Sequence, residues 1–375
     1  YSLLMQDIQT GKVEQFPVPF EPPGETVDSP YASILSSGNK FYTHFKHHLI
    51  EFDPVKRAFT YCSEKTSPWF AMGMTEDDGG KIWTVTYPQC GVISFDPKTR
   101  ELRDYGEVHK QSWPQYASFV AADDAGWIYF ALGHTASQIV ALDPASGKTA
   151  SILPESERKK GQTYLYRDQD GKVYGQALRG EEEGWIELYK GSARKIGKHD
   201  ASRPKIYFKG MRATESVFPD GTKVNCDLIN RRLTVTDPRT GEKRVLPFDY
   251  ESEGAILMGE AVAPDGTICG GAAFPMNFFS LNPKTGAIVN RPGFGQWNIV
   301  MTEGDKFYAG TYGGGNLLEW DPSKPWIETD PKNPASNPAY LGSADPEIHR
   351  PSRLLAAADG RTIIMGGTPA YGMTG

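Results

Sequence analysis

One phrase returns along this chain: an apolar strand, an Asp-Pro or near variant, a turn, then another strand. It reads Gln6-Asp7-Ile8-Gln9-Thr10-Gly11, Phe52-Asp53-Pro54, Phe95-Asp96-Pro97-Lys98-Thr99, Leu142-Asp143-Pro144, Thr236-Asp237-Pro238-Arg239-Thr240-Gly241, Leu281-Asn282-Pro283-Lys284-Thr285-Gly286 and Trp320-Asp321-Pro322, with a worn copy at Leu188-Tyr189-Lys190-Gly191. The period is roughly 45 residues, the length of a four-stranded propeller blade. A unit of that size cannot bury a face alone and must stack on neighbours. The repeat therefore predicts an all-β chain, a single β-propeller domain over residues 1–375 built of four-stranded blades.

Each repeat reads as strands a to d. The a–b turns are Asp78-Gly79-Gly80, Asp124-Ala125-Gly126, Asp170-Gly171, Asp220-Gly221, Asp265-Gly266, Glu303-Gly304 and Asp359-Gly360, all hairpin chemistry. The stretch from Leu3 to Phe16 offers only strands c and d, and that from Leu354 to Tyr371 only a and b. Pairing these ends in one blade would close the ring. The markers then count eight blades, or seven if the weak repeat around Tyr164 to Ile196 or its neighbour is not a blade. No segment longer than a turn or two reads as a helix.

The net charge of -6 is spread without a long block of one sign, which argues against nucleic acid or an anionic membrane surface as partner. No apolar run approaches the roughly 18 residues needed to span a bilayer, so no membrane insertion is expected. The chain starts at Tyr1 rather than Met, which fits removal of an export signal or a trimmed boundary. Cys62, Cys90, Cys226 and Cys269 have no metal-site spacing. Cys226 and Cys269 hold matching positions in consecutive repeats, so a bridge is conceivable; four unpaired, mostly buried thiols is the plainer reading.

In a propeller the b–c loops and d–a connections emerge at one end, and the a–b and c–d turns at the other. The loop end then carries His44, His47 and His48, Tyr87 and Gln89, His134, Arg179, Asn230 and Arg231, Met276 and Asn277, Tyr312 and Tyr371, with Trp69, His109, Trp113, Arg203 and Arg212 on the connections. Histidine, tyrosine and arginine around one mouth suit an acidic sugar. Arginine pairs a carboxylate bidentately, which eases removal of the proton on the adjacent carbon. A neutral histidine or a tyrosinate can take that proton while a second acid protonates the departing oxygen. Trp69, Trp113 and Tyr312 can stack on sugar faces. The outcome would be β-elimination from a uronate.

Three runs carry a resemblance: Tyr87-Pro88-Gln89-Cys90 through Asp104-Tyr105-Gly106, Gln115-Tyr116 through Gly133-His134, and Met365-Gly366-Gly367-Thr368-Pro369. They look like propeller-fold polysaccharide lyases. They are most similar to the group that removes rhamnose from the rhamnosyl-glucuronate caps of arabinogalactan, with its sister group of α-L-rhamnosidases. The resemblance implies two histidines on a d–a connection and the next b–c loop, which His109 and His134 match, and an arginine on the following blade, Arg179. It implies a partner tyrosine, for which Tyr87 and Tyr166 both stand open. It implies no required cofactor, leaves room for a structural calcium ion in the central channel, and leaves the site metal unknown. These families are usually seven-bladed, against the eight counted here.

Each candidate has a plainer reading. His109 beside Lys110 also reads as a solvated loop residue. Arg179, followed by Gly180 and Glu181-Glu182-Glu183, also reads as half of a surface ion pair worth little. The cluster His44-Phe45-Lys46-His47-His48 could hold a transition metal, but strand alternation sends His47 and His48 to opposite sides, so substrate contact by at least one of them, or plain solvated loop histidines, fits better. Gly313-Gly314-Gly315 lacks the lysine and helix of a phosphate loop and fits a close backbone approach. The expectation is a secreted or periplasmic monomer acting on an acidic plant polysaccharide. His109, His134 and Arg179 would be catalytic, and His44, His48, Trp69, Tyr87, Trp113, Arg212 and Tyr312 would bind substrate. An α-L-rhamnosidase on the same cap and a non-catalytic glycan- or protein-binding propeller are the alternatives.

Overall fold

The computed structural model describes residues 1–20, 30–45, 47–64, 66, 68–110, 116–133, 136–200, 208–210, 218, 220–252, 254, 256–273, 276–345 and 347–370. The chain divides into two compact units, Tyr1–Glu251 and Ser252–Gly375. Both are built of antiparallel strands. Among the described residues one 3-10 turn at Glu155–Glu157 is the only helical element, and no helix is long and apolar enough to cross a membrane.

In the first unit β1 (Ser2–Gln6) and β2 (Val13–Pro17) form a hairpin. Four meanders follow. The first holds β3 (Ser33–Leu35), β4 (Phe41–Phe45), β5 (His48–Asp53) and β6 (Ala58–Cys62); the second β7 (Trp69–Glu76), β8 (Ile82–Tyr87), β9 (Cys90–Asp96) and β10 (Glu101–His109). The third holds β11 (Ala117–Ala122), β12 (Ile128–Leu132), β13 (Gln138–Leu142) and β14 (Thr149–Ser151); the fourth β15 (Tyr164–Arg167), β16 (Val173–Gln176), β17 (Trp185–Tyr189) and β18 (Ser192–Gly197). The short β19 (Phe208–Gly210) pairs with β3, and β20 (Lys223–Asp227), β21 (Arg232–Thr236) and β22 (Lys243–Pro247) form a fifth sheet. The second unit holds a sixth meander, β23 (Ile256–Val262), β24 (Ile268–Ala273), β25 (Asn277–Asn282) and β26 (Ala287–Pro292). A seventh follows, β27 (Gln296–Glu303), β28 (Lys306–Tyr312), β29 (Asn316–Trp320) and β30 (Ala339–Ser343), then a hairpin, β31 (Arg350–Ala356) with β32 (Ile363–Thr368).

Successive sheets touch through their first strands: β3 on β7, β7 on β11 and β11 on β15 in one unit, β23 on β27 and β27 on β31 in the other. Wedged meanders with close first strands are propeller-type blades. Apolar side chains fill the wedges. Val85, Val92 and Ala71 meet Val120, Phe130 and Leu132 between the second and third sheets, and Phe278 and Cys269 meet Trp297 and Phe307 between the sixth and seventh. The repeat at Tyr164 to Ile196, the weakest in sequence, is a complete four-stranded sheet.

In the first unit β1–β2 is a two-stranded sheet, and in the second so is β31–β32. The N-terminal hairpin finds its burial inside the first unit. Ile8 and Val13 pack with Leu233, Val235 and Phe248 of the fifth sheet and its flank, and the Phe16 ring lies 4.8 Å from that of Phe52 in the first.

Five first strands carry a register shift close to the loop end: Phe70/Met74, Ala117/Val120, Leu257/Gly259, Trp297/Ile299 and Pro351/Arg353. Such bulges re-aim side chains where they occur. They sit at the end on which the b–c loops and d–a connections open.

Candidate functional site

In the second unit the loop after β28 and the connection after β30 are bonded together. The Ala344 N–H donates to the Gly315 carbonyl at 3.0 Å and the Ser343 hydroxyl to that of Gly314 at 2.5 Å. Gly315 has φ +56, and a Cβ there would fall 1.7 Å from the Ile348 carbonyl oxygen. Only glycine fits, so the Gly313–Gly315 run serves close passage of the next connection.

That connection makes one tight turn, with Ile348 N–H donating to the Ala344 carbonyl at 2.9 Å. The turn brings the Asp345 carboxylate 2.5 Å from His349 Nδ1. The His349 N–H donates to the Thr368 carbonyl at 2.9 Å, pinning the residue to the end of β32. The imidazole is buried and meets the Tyr312 ring edge-on, centroids 5.4 Å apart at 87°. The Arg350 guanidinium lies 5.2 Å over the same ring. A carboxylate only accepts, so the proton between Asp345 and His349 sits on Nδ1. An oriented imidazole, a phenol and a guanidinium thus meet at one loop end. That set can move a proton beside an anionic group.

The sequence reading named Tyr312 here and passed over His349. The signal was present: His349 lies on a d–a connection, four residues after Asp345.

In the first unit His109 ends β10, the outermost strand of its sheet, opposite Cys90. Its Nδ1 is 3.4 Å from the Ser151 hydroxyl on the outermost strand of the next sheet. Burial, and then the Arg158 charge, hold its pKa below the ordinary histidine value, against a smaller opposite pull from Glu107. Arg179 follows β16 instead and is exposed. Its guanidinium lies 5.4 Å over Phe119 on β11 and 5.3 Å over Tyr164 on β15. The pair expected to share a pocket therefore stands at different sheet edges, His109 outer and Arg179 inner. Tyr87 stacks on Tyr116, centroids 5.0 Å apart. The Tyr166 hydroxyl instead donates to the Asp168 carboxylate at 3.3 Å and lies 2.6 Å from His199 Nε2.

His44 as a substrate contact is corrected. It is fully buried, with Nε2 3.0 Å from the Ala71 carbonyl oxygen and its ring against Phe70. Burial pushes its pKa down to about 4. His48 is tied through Nδ1 to the Ser63 carbonyl at 2.9 Å and stacks on Phe20; His47 is tied to the Thr66 carbonyl at 2.7 Å. His134, Trp113 and Arg212, and the side chain of Trp69, lie outside the described residues. Among the described residues no three His, Cys, Asp or Glu side chains gather to hold a metal ion, and no disulfide joins the cysteines.

No protein-family model and no curated protein sequence matches the chain. Among solved structures it is similar to a catalytically inactive virginiamycin B lyase from Staphylococcus aureus with quinupristin, at 11% identity and a TM-score of 0.37, over 82% of this chain and 83% of that one. A streptogramin B lyase shows 13% identity and a TM-score of 0.37 over 85% and 83%. The extracellular domain of a one-component system from B. thetaiotaomicron shows 9% identity and a TM-score of 0.32, over 96% of this chain and 55% of that one.

Proposed function

We propose that the chain is a carbon–oxygen lyase that acts on a uronate-bearing glycan, with the rhamnosyl-glucuronate caps of arabinogalactan as substrate. The observation that carries the reading is the His349–Asp345 pair beside Tyr312 and Arg350. Arg350 would face the uronate carboxylate. With that charge offset, the C5 proton is acidic enough for His349 Nε2 to remove. The electron pair left behind forms the C4–C5 double bond as the C4–O bond breaks. The Tyr312 hydroxyl would give its proton to the departing rhamnose oxygen. Asp345 fixes the tautomer and steadies the imidazolium that forms, as a carboxylate does for a catalytic histidine elsewhere. These roles replace those read from sequence for His109, His134 and Arg179. An exported enzyme suits a polymer that does not cross membranes.

The test is incubation with gum arabic, following rhamnose release and the ultraviolet absorbance of the unsaturated uronate together. Both should rise, and His349→Ala should lose on the order of 10²- to 10⁴-fold in kcat. Rhamnose without the absorbance identifies a hydrolase, binding without turnover a non-catalytic propeller, and full activity in His349→Ala discards the site.

A further inference from the structure

Two buried polar atoms at the same end of the second unit have no hydrogen-bond partner: the Trp297 indole N–H and the Asn277 side-chain oxygen. Trp297 is 1% exposed and Asn277 7% exposed. Both stand at the loop end, since Asn277 begins β25 and Trp297 is the second residue of β27. Both lie beside the segment leaving β26. Asn277 pairs with Pro292 in the sheet, and a Cβ on Gly293 would lie 3.4 Å from the indole nitrogen. The neighbouring strand position, Gln296, pairs with Tyr312 of the proposed site.

An orphaned buried donor or acceptor forfeits its hydration with nothing in return, so natural proteins rarely keep one without a use. Here one donor and one acceptor are kept in neighbouring elements. Such a pair matches a sugar hydroxyl, which accepts from one group and donates to the other. A site that hydrogen-bonds a substrate hydroxyl also discriminates steeply against ligands that lack it. We infer that Asn277 and the Trp297 N–H form a hydroxyl-recognising subsite for a sugar residue bound beside Tyr312. The ligand class rests on the glycan reading above.

The sign of the stability change separates this role from a structural one. A group whose partner arrives with the ligand leaves the free protein strained. Asn277→Leu removes the orphan oxygen at similar volume, and with it only the long 3.4 Å bond from Asn277 Nδ2 to the exposed Asn290, which water can replace, so the free variant should melt no lower than the parent. Its affinity for an intact acidic oligosaccharide from gum arabic should fall about tenfold, as loss of one buried hydrogen bond implies. A buried water satisfying both atoms predicts the reverse, a lower melting temperature and unchanged affinity. Either of those results overturns the inference. Trp297→Phe is compared with Trp320→Phe, because the Trp320 indole N–H is also buried and unpartnered but ends β29 at the opposite, turn end. Only the Trp297 variant should bind more weakly; equal affinities sink the proposal. Binding is measured by calorimetry on His349→Ala protein, so turnover is not needed. Asn277-dependent binding in a protein whose parent shows no turnover discards the lyase and keeps the subsite. Turnover with no dependence on Asn277 does the opposite.

Discussion

Replacing Gly315 by Ala tests whether the approach of two loop-end segments holds the proposed site. The new Cβ would sit 1.7 Å from the Ile348 carbonyl oxygen. An ordinary carbon–oxygen contact is about 3.3 Å, so the connection carrying Asp345 and His349 must move by about 1.6 Å. The backbone at φ +56 adds a left-handed penalty of roughly 1–2 kcal/mol for a residue with a Cβ. A misplacement of about 1 Å at a reacting group is worth around 10²-fold in rate, so kcat on gum arabic should drop at least that much. Two readouts do not depend on activity. The urea midpoint should fall by more than the roughly 1–2 kcal/mol backbone penalty alone, because the Ala344 bond is lost as well. Hydrogen exchange at the Ala344 amide should quicken, because its bond to the Gly315 carbonyl cannot survive the shift. Unchanged exchange at Ala344 together with parental kcat would mean that the close approach does not position His349, and the reasoning would fail.

Glu51 tests the packing of the first two sheets. Its buried carboxylate accepts from Tyr42 and Thr60, both at 2.5 Å, and from Arg100 at 2.8 Å. Burial alone would raise its pKa, but these bonds outweigh it and hold the group below the ordinary carboxylate value. Glu51→Ala should cost about 3–5 kcal/mol at neutral pH, the lower figure favoured because Arg100 is partly exposed and can rehydrate. A folded pKa below the unfolded one means that the contribution is full above the unfolded value and is lost as pH falls through the folded one. Urea midpoints from pH 7 to pH 3 should therefore decline more steeply for the parent than for Glu51→Gln, and parallel declines would count against the network. For the thiols, burial pushes Cys90 up to about 12 and also raises Cys269, so neither should react with iodoacetamide before unfolding. The half-buried Cys62 and Cys226 should label first, and mass spectrometry showing Cys90 labelled as fast as Cys62 would contradict the packing.

The blades were legible because their signals are local. In the Asp-Pro phrases the aspartate bonds its own turn: Asp237 accepts from Arg239 N–H at 2.8 Å and the Gly241 N–H returns to the Asp237 carbonyl at 2.9 Å. The worn copy at Leu188 to Gly191 is worn for a physical reason. Lys190 and Gly191 both have positive φ, 51° and 75°, which makes a tight two-residue hairpin with no place for Asp-Pro. The burial of the N-terminal hairpin was less legible, since it depends on which apolar faces meet. Ile8, Val13 and Phe16 could have met several partners, and no local signal chooses among them.

The site divides along the same line. Assigning loops to one end correctly put Tyr312 and its glycine run there, and the same rule reaches His349. What the rule cannot give is depth. His44 sits one residue from the end of β4 and reads as a funnel residue, yet the bulge between Phe70 and Met74 brings the Ala71 carbonyl onto its ring and seals it. Arg179 shows the complementary case. The three glutamates after it suggested a spent ion pair, but Glu181 is taken by Lys159, and Glu182 and Glu183 lie against Lys198. Which cation meets which carboxylate is decided by folded distances of a few ångströms, below what spacing along the chain resolves. His349 acquires chemistry by the same kind of distance. Its ring is oriented by a turn that closes only because residue 315 has no side chain, so the glycine run, read from sequence as a close backbone approach, is the strongest sequence-level constraint on the site.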